Sequence, residues 1–180
     1  MEKLGKVIPA YPMPVSLVGS IVEGKPNFLT VAWFTMVSYN PPMMAVILGS
    51  NHFSNSGIKK NNAFSVCIPS EEMLEVTDYV GIKSGKDVDK STLFKVFYGE
   101  TKAPMIEECQ ICVECNLKKV ETNGANEMFI GEIVNVYSKN KNPTLSSIKP
   151  ILLSQPDTSY YSIGKALGKA WGVGKDYKQR

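Results

Sequence analysis

Apolar residues come in short runs separated by strong breaks. Residues 15–22 are apolar with small interruptions and stop at Glu23-Gly24-Lys25-Pro26, which predicts a strand and then a turn. Residues 27–37 are rich in Thr, Val, Trp and Phe and predict a second strand. Asn40-Pro41-Pro42 must interrupt regular structure, because proline has no N–H and restricts the residue before it. Residues 43–48 form a buried-looking strand, residues 54–61 a short helix, and residues 63–68 a further strand stopped by Pro69. Ser70-Glu71-Glu72-Met73 has the capping serine and early acids of a helix entrance. Residues 83–91 are polar and glycine-containing, as in a loop. Residues 106–120 and 128–137 are long strand-like segments joined through Thr122-Asn123-Gly124-Ala125-Asn126, whose Asn-Gly pair signals a hairpin. Residues 139–150 read as loop, and residues 159–171 as a segment that begins extended and ends as a helix.

Many strands with few helices between them favour an antiparallel barrel carrying small helices over a doubly wound parallel sheet. No G-x-G-x-x-G fingerprint is present, and the glycines of residues 164–174 stand in the wrong context for one. A length of 180 residues suits one domain, 1–180, with its own core. No apolar run approaches the ~20 residues that cross a bilayer. The N-terminus lacks the apolar centre of a signal peptide, so a cytoplasmic protein without membrane association is expected. Twenty basic against 17 acidic residues leave +3, too little charge to argue for a nucleic-acid partner. The basic tail (Lys165, Lys169, Lys175, Lys178, Arg180) reads as a solvated face and a frayed end. Arg180 is the only arginine, so a phosphate bound elsewhere must be held by lysine, hydroxyls or backbone N–H groups.

That requirement draws attention to G-S-N-H-F-S-N-S-G, residues 49–57, between a strand and a helix. A helix starting near Ser54 presents unpaired N–H groups in its first turn, and with the helix dipole these suit an anion. Ser50, Ser54 and Ser56 add hydroxyls, and no carboxylate is present to repel a phosphate. The plainer reading is a capping Ser54 in an ordinary loop, and His52, the only histidine, reads equally as a surface residue or a phosphate partner. Upstream, small and hydroxyl residues interrupt the apolar strand of residues 27–37; small side chains let a flat ligand reach the backbone, and Trp33 could flank a ring. Cys109-x-x-Cys112-x-x-Cys115 has part of a cluster spacing but lacks a local fourth cysteine. As a strand it would face Cys109, Ile111, Val113 and Cys115 one way and Cys112 the other, which favours buried reduced thiols over a cluster, zinc or a redox pair. Asp87 and Asp89 read as a solvated loop rather than a metal site.

The segment N-F-L-T-V-A-W-F-T-M-V-S-Y-N-P-P, then the polar stretch, then G-I-K-K-N-N-A-F-S-V, resembles the flavin reductase-like, FMN-binding split-barrel family, and its flavoredoxin branch most. S-G-K-D-V-D-K (residues 84–90), Ala103-Pro104 with Cys115 downstream, F-I-G-E-I-V (residues 129–134) and Y-Y-S-I-G (residues 160–164) follow in the family's order. The resemblance implies a six-stranded antiparallel split β-barrel of Greek-key type, a homodimer with FMN near the subunit interface. It places Asn27, Thr30, Val31, Ala32 and Trp33 along the flavin and its ribityl chain, and Ser38 against the ribityl chain or ring. Ser50, His52, Ser54 and the following helix start would receive the phosphate. Lys90 would be a cationic contact, and Tyr160 or Tyr161 would pack near the open ring face. Ser54 stands where the family often has threonine, and keeps the hydroxyl. Asn126 stands where it often has histidine, which puts a nicotinamide contact there in doubt. The implied activity is oxidoreduction from NAD(P)H or another donor through FMN to a flavin, ferric or protein acceptor. The alternatives are a flavoredoxin-type electron carrier without nicotinamide turnover, or a split barrel that binds haem, a deazaflavin or nothing.

Overall fold

The structure is a computed structural model and describes residues 1–175. The strands are β1 (Met13–Pro14), β2 (Ser16–Val22), β3 (Lys25–Val31), β4 (Phe34–Tyr39), β5 (Pro42–Gly49), β6 (Ala63–Ile68), β7 (Val96–Tyr98), β8 (Pro104–Ile106), β9 (Ile111–Asn123), β10 (Asn126–Ser138), β11 (Leu152–Ser154) and β12 (Ser159–Tyr161). The helices are α1 (Ser54–Asn61), α2 (Leu74–Ile82) and α3 (Leu145–Ile148). Seven strands form the main antiparallel sheet in the order β3-β2-β6-β9-β10-β5-β4.

The two outer strands of that order are consecutive in the chain, separated only by Ala32 and Trp33. Three Cα steps from Val31 to Phe34 reach at most ~11 Å, whereas seven strands laid flat would set their edges on the order of 29 Å apart. The sheet therefore has to curl until its edges meet. The expected second strand, residues 27–37, is thus broken in the middle. Its first half pairs with β2 (Val31 opposite Ser16) and its second with β5 (Phe34 opposite Val46). Counted as one bent strand, β3 and β4 make a barrel of six.

Adjacent residues divide between two cores. Val18, Leu29, Val66, Val113 and Cys115 fill the barrel with Phe64 and Phe129. Their neighbours Leu17, Phe28, Cys67 and Cys112 point outward into a second core under α2 and residues 94–109. Burial on both faces explains why these strands read as continuous apolar runs instead of alternating ones.

Several expected elements change. Residues 106–120 are not one strand: β8 ends at Ile106, and a turn closed by Cys109 N–H to the Ile106 carbonyl (3.2 Å) precedes β9. The expected alternation does not extend back to Cys109, which joins Cys112 in the outer core while Cys115 lies in the barrel. Ser70 precedes a 3-10 turn, Glu71–Met73, without a side-chain cap. Its backbone bridges to Pro150, and Glu71 N–H donates to the Lys149 carbonyl (2.8 Å). Residues 139–150 hold the short helix α3, opened by a Thr144–Ser147 capping box. Residues 162–175 contain no helix after β12, since the four glycines of residues 164–174 cost helical order about 1 kcal/mol each. Lys178 and Arg180 of the basic tail lie outside the described residues. The Asn-Gly hairpin holds, with Asn123 opposite Asn126.

Gly131, at a register shift of β10, has no room for a side chain: a Cβ there would lie 2.6 Å from the Phe64 ring. Gly131→Ala is expected to lower stability by ~1–3 kcal/mol, read as a lower urea midpoint with unchanged slope; an unchanged midpoint would show that the barrel packs differently there.

Candidate flavin-binding cleft

Two cavities share Leu29 and His52 and run along the seam where β3 gives way to β4. The smaller is about 150 Å³ and lies between the start of α1, the end of α2 and residues 83–85. The larger is about 400 Å³ and is bounded by residues 29–33, the end of β5 and the β11–β12 hairpin.

The smaller cavity mixes an apolar wall with polar groups that the local fold places there. After β5 the chain turns through residues 49–52, with His52 N–H donating to the Gly49 carbonyl (3.0 Å) and Ser50 N–H to the Ala125 carbonyl (2.9 Å). Helix α1 then begins with Phe53 as its N-cap, and the capping role considered for Ser54 is not taken. Ser54 is the first helical residue, buried, and its Oγ accepts from Asn27 Nδ2 at 2.8 Å. Its hydroxyl proton is left to donate. No acid stands in the first turn of α1, and no carboxylate lines the cavity, whereas Lys83, Lys90 and His52 do.

Lys90 arrives from the 83–91 loop, and its ammonium is nearly enclosed. Nζ donates to the Phe28 carbonyl at 3.0 Å and the Val80 carbonyl at 2.8 Å, fastening the loop to β3 and α2. Burial brings its pKa down to about 8. Burial and then the Lys90 charge hold His52 below the ordinary histidine value. Gly85 sits against Asn27, where a Cβ would fall 2.1 Å from Oδ1 and 2.8 Å from the Phe53 ring. A side chain there would fill the space between loop and helix.

The larger cavity has no charged lining residue. Val31, Trp33, Ile47, Leu48 and Leu153 make its apolar wall, with Thr30, Gln155 and Thr158 as polar points. Ala32 and Trp33 lie between the two ladders, where the Trp33 carbonyl accepts from Ile47 N–H at 2.9 Å. Thr30 Oγ1 donates to the Thr77 carbonyl (2.5 Å), tying α2 to β3.

Of the residues singled out from sequence, Asn27, His52, Ser54 and Lys90 meet in the smaller cavity, and Thr30, Val31, Ala32 and Trp33 join His52 in the larger. Four line neither. Ser50 is in the exposed turn before α1, and Ser38 pairs with Met43 on β4, beyond a bulge. Tyr160 stands opposite Leu153, and its hydroxyl donates to Asp78 Oδ1 (2.8 Å), so burial and that carboxylate raise its pKa to about 12. Tyr161 is exposed and donates to Asp157. Sequence reasoning missed Ser84, Gly85, Gln155 and Thr158. Ser84 and Gly85 open the very stretch that contributed Lys90, and Gln155-Pro156-Asp157-Thr158 is a turn signal that predicts the β11–β12 hairpin. Asn126 does not line the larger cavity but lies in register with Gly49, which does.

Residues 8–158 match the flavin reductase like domain. The chain belongs to the flavin reductase-like family. Its mainly β split barrel recurs in solved relatives. The flavoredoxin of Methanosarcina acetivorans superposes with a TM-score of 0.94 at 40% identity, covering 97% of both chains. The flavoredoxin of Desulfovibrio vulgaris (Miyazaki F) gives 0.90 at 30% identity, over 97% of this chain and all (100%) of that one. The FMN-binding protein of Thermus thermophilus, solved with bound p-hydroxybenzaldehyde, gives 0.83 at 25% identity, covering 94% of this chain and 99% of that one.

Because the folded pKa of Lys90 lies below its free value of 10.5, the unfolded chain holds the extra proton between pH 8 and 10.5, so stability rises with pH there. The stability difference between wild type and Lys90→Met, from urea titrations across that window, is expected to grow in favour of wild type; a pH-independent difference would show that Lys90 is solvated.

Proposed function

We propose that this protein is an FMN-dependent oxidoreductase whose cofactor lies along the seam, phosphate in the smaller cavity and ring system in the larger. The carrying observation is that a cavity lined by hydroxyl, amide and lysine groups without a carboxylate adjoins an uncharged, largely apolar one, the two sharing Leu29 and His52. That division of polarity matches a molecule with a dianionic ester at one end and a flat aromatic system at the other. The residues present fit the group. Gly85 leaves the space a Cβ would fill beside Asn27, and Ser54 keeps a proton to donate. The Thermus relative, an FMN-binding protein by its description, supports the same cofactor.

The Ser54 hydroxyl and the first-turn N–H groups of α1 would hold the phosphate, with Lys83 adding positive charge and the neutral His52 ring an N–H donor. Asn27 holds Ser54 in place. The apolar wall of Val31, Ile47, Leu48 and Leu153 excludes water from the ring, and Gln155 with the Ala32–Trp33 backbone supplies donors and acceptors for its edge. Bound isoalloxazine supplies the hydride and one-electron chemistry, so the chain itself needs no acid–base dyad. Reduced nicotinamide is the donor in this reading, and the acceptor is a flavin, a ferric chelate or a protein.

A second reading, an electron carrier without nicotinamide turnover, has the two flavoredoxin relatives behind it. It is also favoured by Asn126, which offers no ionisable group opposite Gly49 of the larger cavity. Steady-state NADH and NADPH oxidation with excess FMN separates the two: turnover supports the enzyme, and its absence with reduction by a partner protein supports the carrier.

The same proposal includes a homodimer. Edge strand β4 exposes Met36, Val37 and Tyr39, with Val7, Ile8 and Tyr11 of the N-terminal segment also exposed. Ile8 and Tyr11 share a further cavity with Ala32, Trp33 and Phe34, so a partner covering this face would also close the cleft. The double variant Met36→Lys/Tyr39→Lys is expected to sediment as a monomer; a monomeric wild type would remove the dimer.

Ser54→Asp places a carboxylate against the phosphate and is expected to weaken FMN binding on the order of 100-fold or more, measured by fluorescence titration with circular dichroism to confirm folding. Unchanged affinity in the folded variant would refute the phosphate placement.

A further inference from the structure

The spacing Cys109-x-x-Cys112 takes no part in the cleft, yet the fold gathers these thiols. Cys112 lies directly opposite Cys67 in the β6–β9 ladder, and the turn before β9 brings Cys109 to the same outward face. Cys67, Cys109 and Cys112 belong to one buried cluster, and the Cys112 thiol donates to the Ile106 carbonyl (3.3 Å). All four cysteines are free. Among the described residues no group of three or more His, Cys, Asp and Glu side chains is arranged to hold a metal ion, so convergence here does not make a metal seat.

Cys109 and Cys112 front a cavity of about 270 Å³ that shares no lining residue with the flavin cleft. Phe97, Ile106 and Tyr137 make its apolar wall, and Lys139 stands at it. The wall is braced: the Phe97 and Tyr137 rings meet edge to face at 5.5 Å, and the Tyr137 hydroxyl donates to the buried Glu114 carboxylate at 2.8 Å. Glu114 also accepts from Thr101 N–H (2.8 Å) and Asn135 Nδ2 (3.0 Å). Cys67 lies behind, fully buried and absent from the cavity lining. Cys109 and Cys112 are each only 3% exposed, yet both line this cavity, which a purely structural thiol does not need.

We propose that Cys109 and Cys112 form a redox-active dithiol that exchanges with small disulfides entering this cavity. Cys112 attacks, since it lines the same cavity as Lys139, whose positive charge favours the thiolate. The Cys112 thiolate forms a mixed disulfide with one sulfur of the entering molecule and expels the other as a thiolate. Cys109 then gives up its proton and attacks the Cys112 sulfur, releasing the second thiolate. One small disulfide takes two electrons and two protons and leaves as two thiols, and the two cysteines become one disulfide. The site is independent of the flavin reading, since neither residue touches the cleft.

The flavin-loaded protein, reduced and freed of reductant, is treated anaerobically with hydroxyethyl disulfide, then denatured, alkylated and analysed by peptide mass spectrometry. Wild type is expected to lose two alkylatable thiols and yield a Cys109–Cys112 linked peptide, with flavin content unchanged. Cys109→Ser is expected to stop at a mixed disulfide on Cys112, Cys112→Ser to remain unreacted, and Cys115→Ser, altered on the other face of β9, to behave as wild type. The proposal is overturned if all four thiols of wild type stay alkylatable, if the disulfide involves Cys67 or Cys115, if the Cys109 and Cys112 variants react alike, or if the reduced protein retains a stoichiometric metal.

Discussion

The two-residue link between β3 and β4 is the constraint from which the rest of the architecture follows. Because Ala32 and Trp33 are too few to cross an open sheet, the outer strands must approach each other, and the barrel closes with a seam instead of a continuous ladder. Along that seam two residues belong to neither strand pair. A closed ladder would consume every backbone donor and acceptor; the break leaves a stretch of main chain beside a cavity. The break in the ladder therefore coincides with the larger cavity, which residues 29–33 line.

Around the seam, polarity is sorted by chain direction. The strand β5 delivers apolar side chains to one cavity and, a few residues later, the helix start that makes the other one polar. Lys90 shows how a single side chain serves both fold and site. Its stem and ammonium fasten a distant loop to β3 and α2, which carries Ser84 and Gly85 into place, while its charge lowers the pKa of His52. The Phe28 and Val80 carbonyls that hold Lys90 fix where its charge stands and limit how far it can turn.

The outer core is a second consequence of closing the barrel. Strands with both faces covered put every alternate residue outside the barrel, and residues 94–109 fold over that face with α2. The Glu114 carboxylate belongs to the same layer. Burial alone would raise its pKa, but donors from Thr101, Asn135 and Tyr137 outweigh that and bring it to about 2. An ionised group so well supplied with donors ties the 99–103 loop to β9 and β10 and gives the thiol cavity a rigid edge.

Much of this was legible in the chain because it is local. Helix α1, strand β6, the Asn-Gly hairpin and the polar, acid-free stretch before Ser54 depend on residues a few positions apart, and propensity and spacing suffice for them. The break at Ala32–Trp33 was not legible, since Thr, Val, Trp and Phe favour strand on both sides of it and only the demands of closure interrupt them. Nor was the union of Cys109 with Cys112, because alternation holds only inside a strand and Cys109 precedes one. Gln155 and Thr158 were hidden by distance, as a hairpin more than a hundred residues from β3 along the chain forms the far wall of the cleft. The sequence by itself determined strand content, hairpins and the chemistry available at each position. Tertiary structure alone decided which of those residues share a cavity, because closing the sheet joins positions that no local rule relates.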